Sequence, residues 1–267
     1  MRSVTLATLG RRSVLVSDQR RWIFNRLAGD YLARPPYPTS LVERLAELAG
    51  GRGARVADLG AGTGHLALPL AARGLAVTAV EPAFVMLEAL AGRAPPGATL
   101  TTVHSTAEAT PLPAGAFALV LLADALQWVD PERVGVEASR LLAPGGTIAL
   151  VEASFAATPF MTGLSALLAR ENPKARSRPP GRARQVLSLA APGAAPAAET
   201  FAQDAALDPA ALASLVRSLS FAGPALAPER LGALLADAEA LADAAGGAHF
   251  QRDLTLRWAA RRRPPPP

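Results

Sequence analysis

Apolar positions along the chain change period repeatedly between residues 55 and 152, and the changes mark out alternating strands and helices. Residues 55–59, 76–80, 99–104, 117–123 and 147–152 are short runs of strand length. The run at 117–123 is almost wholly apolar, as a strand covered on both faces requires. Between these runs, 64–72, 84–92 and 131–142 carry helical spacing, and Pro144-Gly145-Gly146 ends the last of them. Strands alternating with helices predict a parallel sheet with helices on both faces. The right-handed crossover rule then sets most of the topology.

The flanks are less regular. Residues 21–32 read as a helix with Trp22, Ile23, Leu27 and Tyr31 available to a core. Arg34-Pro35-Pro36-Tyr37-Pro38 must end it, because proline offers no amide proton and restricts the residue before it. Ser40 and Glu43 have capping-box spacing for a helix that runs to Leu48 and stops at Gly50-Gly51. Beyond 153, residues 162–170, 209–219 and 228–244 read as helices, and 172–196 as loop with a short helix at 181–189. Residues 199–203 are a sixth strand. A last strand at 250–259 has Leu254, Leu256 and Trp258 alternating to one face. The expected organisation is a flexible N-terminus (1–20), a core with N-terminal helices (21–152), a lid that sets acceptor specificity (153–198), a C-terminal part completing the sheet (199–260) and a loose tail (261–267).

Composition changes this picture in three places. The chain has no cysteine, which excludes disulfides, thiolate metal sites and cysteine nucleophiles. The formal charge of +5 and pI of about 10.8 point toward nucleic acid. However, Lys174 is the only lysine, and the arginines are scattered among acids in an alanine-, glycine- and proline-rich chain. That is a compositional bias rather than a basic stripe, so no nucleic-acid partner is expected. No run approaches the roughly 18 apolar residues of a membrane span. The arginines of residues 1–21 do not flank an apolar core of the secretory kind. The expectation is a cytoplasmic protein with no membrane partner.

The chemistry concentrates in Asp58-Leu59-Gly60-Ala61-Gly62-Thr63-Gly64, where a strand ends, glycines occupy alternate positions and a helix is due. Glycines there let a ligand approach the backbone, and a helix N-terminus offers free amide protons. Glu81 closes the second strand seventeen residues after Gly64, where a carboxylate would hold a ribose diol. The G-x-G-x-G spacing differs from the dinucleotide pattern, and no phosphate-binding Gly-Lys-Ser/Thr loop is present. Asp58 would repel a pyrophosphate but accept an ammonium. S-adenosylmethionine (SAM), with an ammonium, a carboxylate, a sulfonium and no phosphate, fits these charges.

These residues resemble the class I SAM-dependent methyltransferases, in particular the small-molecule branch of trans-aconitate and biotin-pathway methyltransferases, over residues 24–152. Tyr31 to Pro38 is similar to that branch's Tyr-x-x-x-Arg-Pro-x-Tyr-Pro segment, and Glu81-Pro82 with Met86 to its second motif. Thr106-Ala107-Glu108-Ala109-Thr110-Pro111-Leu112 resembles its segment near the adenine, and Glu137 to Gly146 its Glu-x-x-Arg turn. The resemblance implies a Rossmann-like α/β fold: a seven-stranded sheet, mostly parallel with an antiparallel last strand, helices on both faces and a helical lid. It implies a cofactor site of Tyr31, Arg34, Asp58, Gly60, Ala61, Gly62, Gly64, Glu81, Pro82, Met86, Thr106, Ala107, Glu108 and Ala123. Met86 would pack on the adenine, Thr106 and Ala107 would meet its edge, and Tyr31 and Arg34 would close over the methionine end.

Three departures bear on function. Thr106 stands where relatives usually have Asp, and Ala118 where the fourth strand often has Asp. Gln127-Trp128 stands where relatives often carry His-Trp, and glutamine cannot serve as a base near neutral pH. Gln127 and Trp128 are thus the candidate catalytic positions only by location. The function implied is methyl transfer to a small-molecule hydroxyl or carboxylate. Two alternatives stay open: a SAM-binding protein of this fold with a non-methyl reaction or none, and an RNA or protein methyltransferase. The absent cysteine removes cytosine-C5 chemistry, and Ala123-Asp124-Ala125-Leu126 is not the Asn/Asp-Pro-Pro-Tyr/Phe signature of amino-group nucleic-acid enzymes.

Overall fold

A computed structural model describes residues 16–172 and 181–262, with side chains described from Ile23 onward. Two helices, α1 (Val16–Leu32) and α2 (Thr39–Ala49), precede the sheet. The sheet and its crossovers follow as β1 (Arg55–Leu59), α3 (Ala67–Ala72), β2 (Ala76–Glu81), α4 (Phe84–Gly92), β3 (Leu100–His104), β4 (Phe117–Ala123), α5 (Pro131–Leu141) and β5 (Leu142–Phe155). Then come α6 (Pro159–Glu171), α7 (Arg182–Ala190), β6 (Ala197–Leu207), α8 (Pro209–Ser218), α9 (Pro228–Ala244) and β7 (Ala248–Ala260).

The seven strands lie in the order β3-β2-β1-β4-β5-β7-β6. Val56 pairs with Val77 on one side and Leu119 on the other, both in parallel register. β7 runs antiparallel to both its neighbours, with Val151 opposite Leu256 and Phe201 opposite Leu254. Six strands are therefore parallel and β7 alone is reversed, as a Rossmann-like methyltransferase sheet requires. The apolar run of β4 is explained by this position: Leu119 to Leu122 are fully buried between two helical layers. One layer is α2 and α3, with Leu41, Leu45 and Leu70 against Val56 and Leu119. The other is α5 and α7, with Val134, Leu141 and Val186 against Leu59 and Ile148.

Several expectations shift. The helix at 64–72 begins at Ala67, and α1 begins at Val16, so the expected flexible stretch 1–20 is helical at its end; residues 1–15 lie outside those described. Ser40 does not cap α2: Pro38 holds the cap position with no side-chain bond. The described helices of the segment 153–198 pack in two different cores. Its first helix, α6, shares a core with α8 and α9 through Met161, Leu164, Leu215 and Leu234, beneath Phe250 of β7. Its second, α7, packs on α5 instead, because Gly135 lets Leu189 approach. The strands β5 and β7 outrun their predicted lengths, and their extensions at Phe155 and at Ala248 and Phe250 pack against that helical layer. The tail is docked where it is described: Arg261 donates to the Ser139 and Leu142 carbonyls at 2.7 and 2.8 Å. Among the described residues no helix is long and apolar enough to cross a membrane.

Candidate active site

The sheet order reverses between β1 and β4, and crevices at such points lie beyond the carboxyl ends of the strands. A cavity of about 650 Å³ opens there. The loop after β1 forms one wall. It folds back on the end of β2, with Gly60 and Ala61 amides donating to the Val80 carbonyl at 2.8 and 3.1 Å. Gly60 and Gly64 need to be glycine: both have positive φ, a β-carbon on Gly60 would lie 3.0 Å from that of Ala125, and one on Gly64 would lie 2.8 Å from Leu90.

Two buried carboxylates face this wall's ligand space. Glu81 bridges the loop and its own strand end, accepting from Gly62 N at 2.9 Å and Ala83 N at 2.8 Å. Asp58 accepts from the Ala67 amide, so the first amide of α3 is already used and is not the free donor the sequence suggested. Burial raises both groups to about 7, and the charge of Glu81 pushes Asp58 further the same way. Neither has a cationic partner among the described ion pairs. A buried carboxylate short of a cation suits a ligand ammonium, and a carboxylate with spare lone pairs suits a diol.

Three segments remote in sequence build a second part of the lining. Asp124 follows β4 with φ of +48°, alone among the described non-glycine residues in having a positive value. Its short carboxylate compensates by local bonding: Oδ1 accepts from Ala153 N at 3.0 Å, and Oδ2 from Tyr37 at 3.2 Å and Arg252 at 3.3 Å. Burial is the main reason Tyr37 ionises well above its ordinary range, so it stays a neutral phenol. Arg252 also donates to Gln203 at 2.7 Å, and Gln203 donates to the carbonyls of Pro35 and Pro36. Bends at the prolines thus place carbonyls where β6 can hold them, and Tyr37 follows into the cleft.

Thirteen of the fourteen predicted cofactor residues line the cavity: Tyr31, Arg34, Asp58, Gly60, Ala61, Gly62, Glu81, Pro82, Met86, Thr106, Ala107, Glu108 and Ala123. Gly64 does not; it serves the packing of the loop on Leu68 and Leu90. The adenine-side loop is pinned from behind. Glu137 accepts from Thr110 N at 2.8 Å and from Arg140, whose guanidinium also reaches the Leu112 carbonyl. Arg34 is held by Ser218 and lies 3.8 Å over the Tyr31 ring. Trp128 lines the cavity, edge-on to Phe24 at 5.0 Å. Gln127 does not: its amide donates to Asp124 O at 2.7 Å and the side chain borders a separate cleft near Glu152 and Arg257. Leu126–Trp128 is a single 3-10 turn, which sends neighbouring side chains to different sides. His65 is structural: between the Thr63 hydroxyl and the Arg34 carbonyl, burial lowers it to about 4. Sequence reasoning passed over Asp124, Arg182 and Arg252 as cavity residues. Asp124 directly after an apolar strand was the one signal available.

Comparison with known proteins agrees with this geometry. Residues 57–150 match a family model described as a methyltransferase domain. An uncharacterized methyltransferase of Mycobacterium tuberculosis H37Rv is 40% identical over 145 residues, covering 54% of this chain and 55% of that protein. The malonyl-[acyl-carrier protein] O-methyltransferase of Geobacter sulfurreducens is 38% identical over 134 residues, 47% of this chain and 49% of that one. The chain therefore spans about half the length of these curated relatives. A solved structure from Anabaena variabilis, assigned to the methyltransferases of an antibiotic biosynthesis pathway, shares the fold with a TM-score of 0.64 at 19% identity, over 82% of this chain and 96% of that one. Residues 57–150 thus match a methyltransferase domain, and the chain as described has the fold of the Rossmann-like methyltransferases.

Proposed function

We propose that the protein transfers a methyl group from SAM to a small-molecule acceptor, at an oxygen. The observation that carries this reading is the pairing of Asp58 and Glu81 across the glycine loop, two buried carboxylates with no cationic partner among the described ion pairs. Asp58 receives the ammonium and Glu81 the ribose diol. Met86 and the segment Thr106-Ala107-Glu108 border the adenine, while Tyr31 and Arg34 cover the methionine end. The cavity is within the roughly 300–1,000 Å³ of small-ligand sites, which favours a small acceptor over RNA or protein. An oxygen acceptor accords with the name of the Geobacter relative.

SAM supplies an electrophilic methyl carbon, and the protein supplies position and exclusion of water. Phe24 and Tyr31 of α1 and Trp128 roof the cavity, so the reaction space is apolar above and charged below. The test is incubation with methyl-labelled SAM and mixed pools of alcohols, phenols, carboxylic acids and RNA. Label in a small-molecule pool supports the reading. Label only in RNA or in the protein itself overturns it.

A further inference from the structure

We propose that Tyr37, Asp124 and Arg252 are the acceptor-recognition wall, and that they select a neutral hydroxyl, alcohol or phenol, over a carboxylate. The inference rests on the methyl-transfer reading above and narrows it to one acceptor chemistry.

Asp124 sits where such a group is needed. It follows the last residue of β4, and its neighbour Ala125 abuts Gly60 of the cofactor loop. It lines the cavity together with Tyr37 and Arg252. Its left-handed backbone is held against its intrinsic cost by bonds from β5, from the α1–α2 linker and from β7. Strain maintained by three separate segments makes the placement specific.

The hydrogen-bond inventory decides the chemistry. The Tyr37 hydroxyl spends its proton on Asp124, so towards the cavity the phenolic oxygen is an acceptor only. The Asp124 carboxylate can take four bonds and has three described, which leaves one acceptor position. The guanidinium of Arg252 is neutralised by Asp124 at 3.3 Å and engaged by Gln203 at 2.7 Å, and it lies 5.0 Å over the Phe250 ring. A second carboxylate brought to this wall would meet Asp124 before it met an unpaired cation. A hydroxyl would donate to Asp124 and be favoured. Of the other cavity arginines, Arg182 donates to the Leu126 and Val129 carbonyls and Arg34 is tied to Ser218, while Arg133 is exposed in the first turn of α5, beside the Asp130 whose amide bonds Glu108 rather than at this wall.

In the transfer, the acceptor oxygen forms its bond to the methyl carbon while the carbon–sulfur bond breaks and the sulfonium becomes a neutral thioether. The hydroxyl proton passes to Asp124 and then to solvent. Asp124 thereby supplies the base that neither Gln127 nor His65 provides.

The test has a binding arm and a transfer arm. Protein saturated with S-adenosylhomocysteine is titrated with a pool of simple phenols and a matched pool of benzoates, followed by saturation-transfer NMR. Phenols are expected to bind at least tenfold tighter than their benzoate counterparts. Asp124→Asn removes that preference and lowers label transfer from SAM to the phenol pool by about 100-fold, the scale of a lost general base, with SAM affinity kept within twofold. Tyr37→Phe, which leaves the carboxylate in place, reduces the preference about threefold and guards against a misfolded first variant. Benzoates binding as tightly as phenols, neither pool binding, or an unchanged preference in Asp124→Asn overturns the proposal. If S-adenosylhomocysteine itself does not bind, the methyl-transfer reading fails instead, so the two failures are distinguishable.

Discussion

The two walls of the cavity are built on opposite plans. The cofactor wall is local: Asp58, Gly60, Gly62 and Glu81 fall within a single strand–helix–strand unit, and its bonds join residues no more than about twenty apart. The acceptor wall is assembled across the whole chain, with Tyr37 bonded to Asp124 over 87 positions and Arg252 to Asp124 over 128. A local wall is set by backbone geometry and tolerates little change in its glycines. A composite wall is set by side-chain partners, and any one of them can be altered while the sheet stands. On the proposed reading, the cofactor is held by the wall that tolerates least change and the acceptor by the wall that tolerates most.

Breaking the local wall should have the largest effect. Gly64→Val forces a branched side chain into positive φ and against Leu90 at 2.8 Å. Left-handed strain and overpacking together cost about 2–5 kcal/mol. The melting temperature should fall by roughly 5–15 °C, read by calorimetry. Next is Glu81→Ala, which removes the bridge from Gly62 to Ala83 and the diol acceptor. SAM affinity should fall roughly 10- to 100-fold, as expected for hydrogen bonds to a charged group. Unchanged affinity would remove Glu81 from the site. A smaller effect, about three- to tenfold in SAM affinity, is expected of Glu137→Ala. That residue lies behind the wall and acts only by holding the loop that carries Thr106 to Glu108.

How much of this was legible in the sequence follows the same division. The period changes from 55 to 152 were enough for the alternating strands and helices of a parallel sheet, and the family resemblance for its reversed last strand. The spacing of Asp58, the glycines and Glu81, together with family resemblance, picked out fourteen positions, of which thirteen line the cavity. Gly64 falls outside the lining, because glycine in a loop signals either ligand approach or close packing, and its position against Leu90 shows packing. Gln127 was misread because a 3-10 turn separates adjacent side chains that a linear reading keeps together. The acceptor wall was not legible, since no local pattern announces that an arginine in the last strand will meet an aspartate after the fourth. The division of 153–198 was not legible for a related reason: α6 and α7 are close in sequence but bury their apolar faces in different cores.

The smallest expected effect is on stability, and its sign follows from the raised carboxylates. Asp58 and Glu81 hold protons up to about pH 7 in the folded cofactor-free protein and only to about pH 4 when unfolded. Their contribution is fully present below pH 4 and is lost as pH rises through 7. Relative to Asp58→Asn/Glu81→Gln, the wild type should therefore lose melting temperature between pH 5 and pH 8. Saturating SAM should abolish that loss. A difference that grows with pH in the other direction would place the two carboxylates elsewhere.

The central claim, that two buried carboxylates await a cationic nucleoside ligand, is tested most directly by calorimetric titration of the intact chain with SAM between pH 6 and pH 7.5. Below the range where the ligand amine itself loses its proton, binding requires ionised Asp58. The account predicts one site per chain, affinity that tightens roughly tenfold across that interval, and protons released on binding. No binding at millimolar SAM, or an affinity that weakens as pH rises, would contradict it.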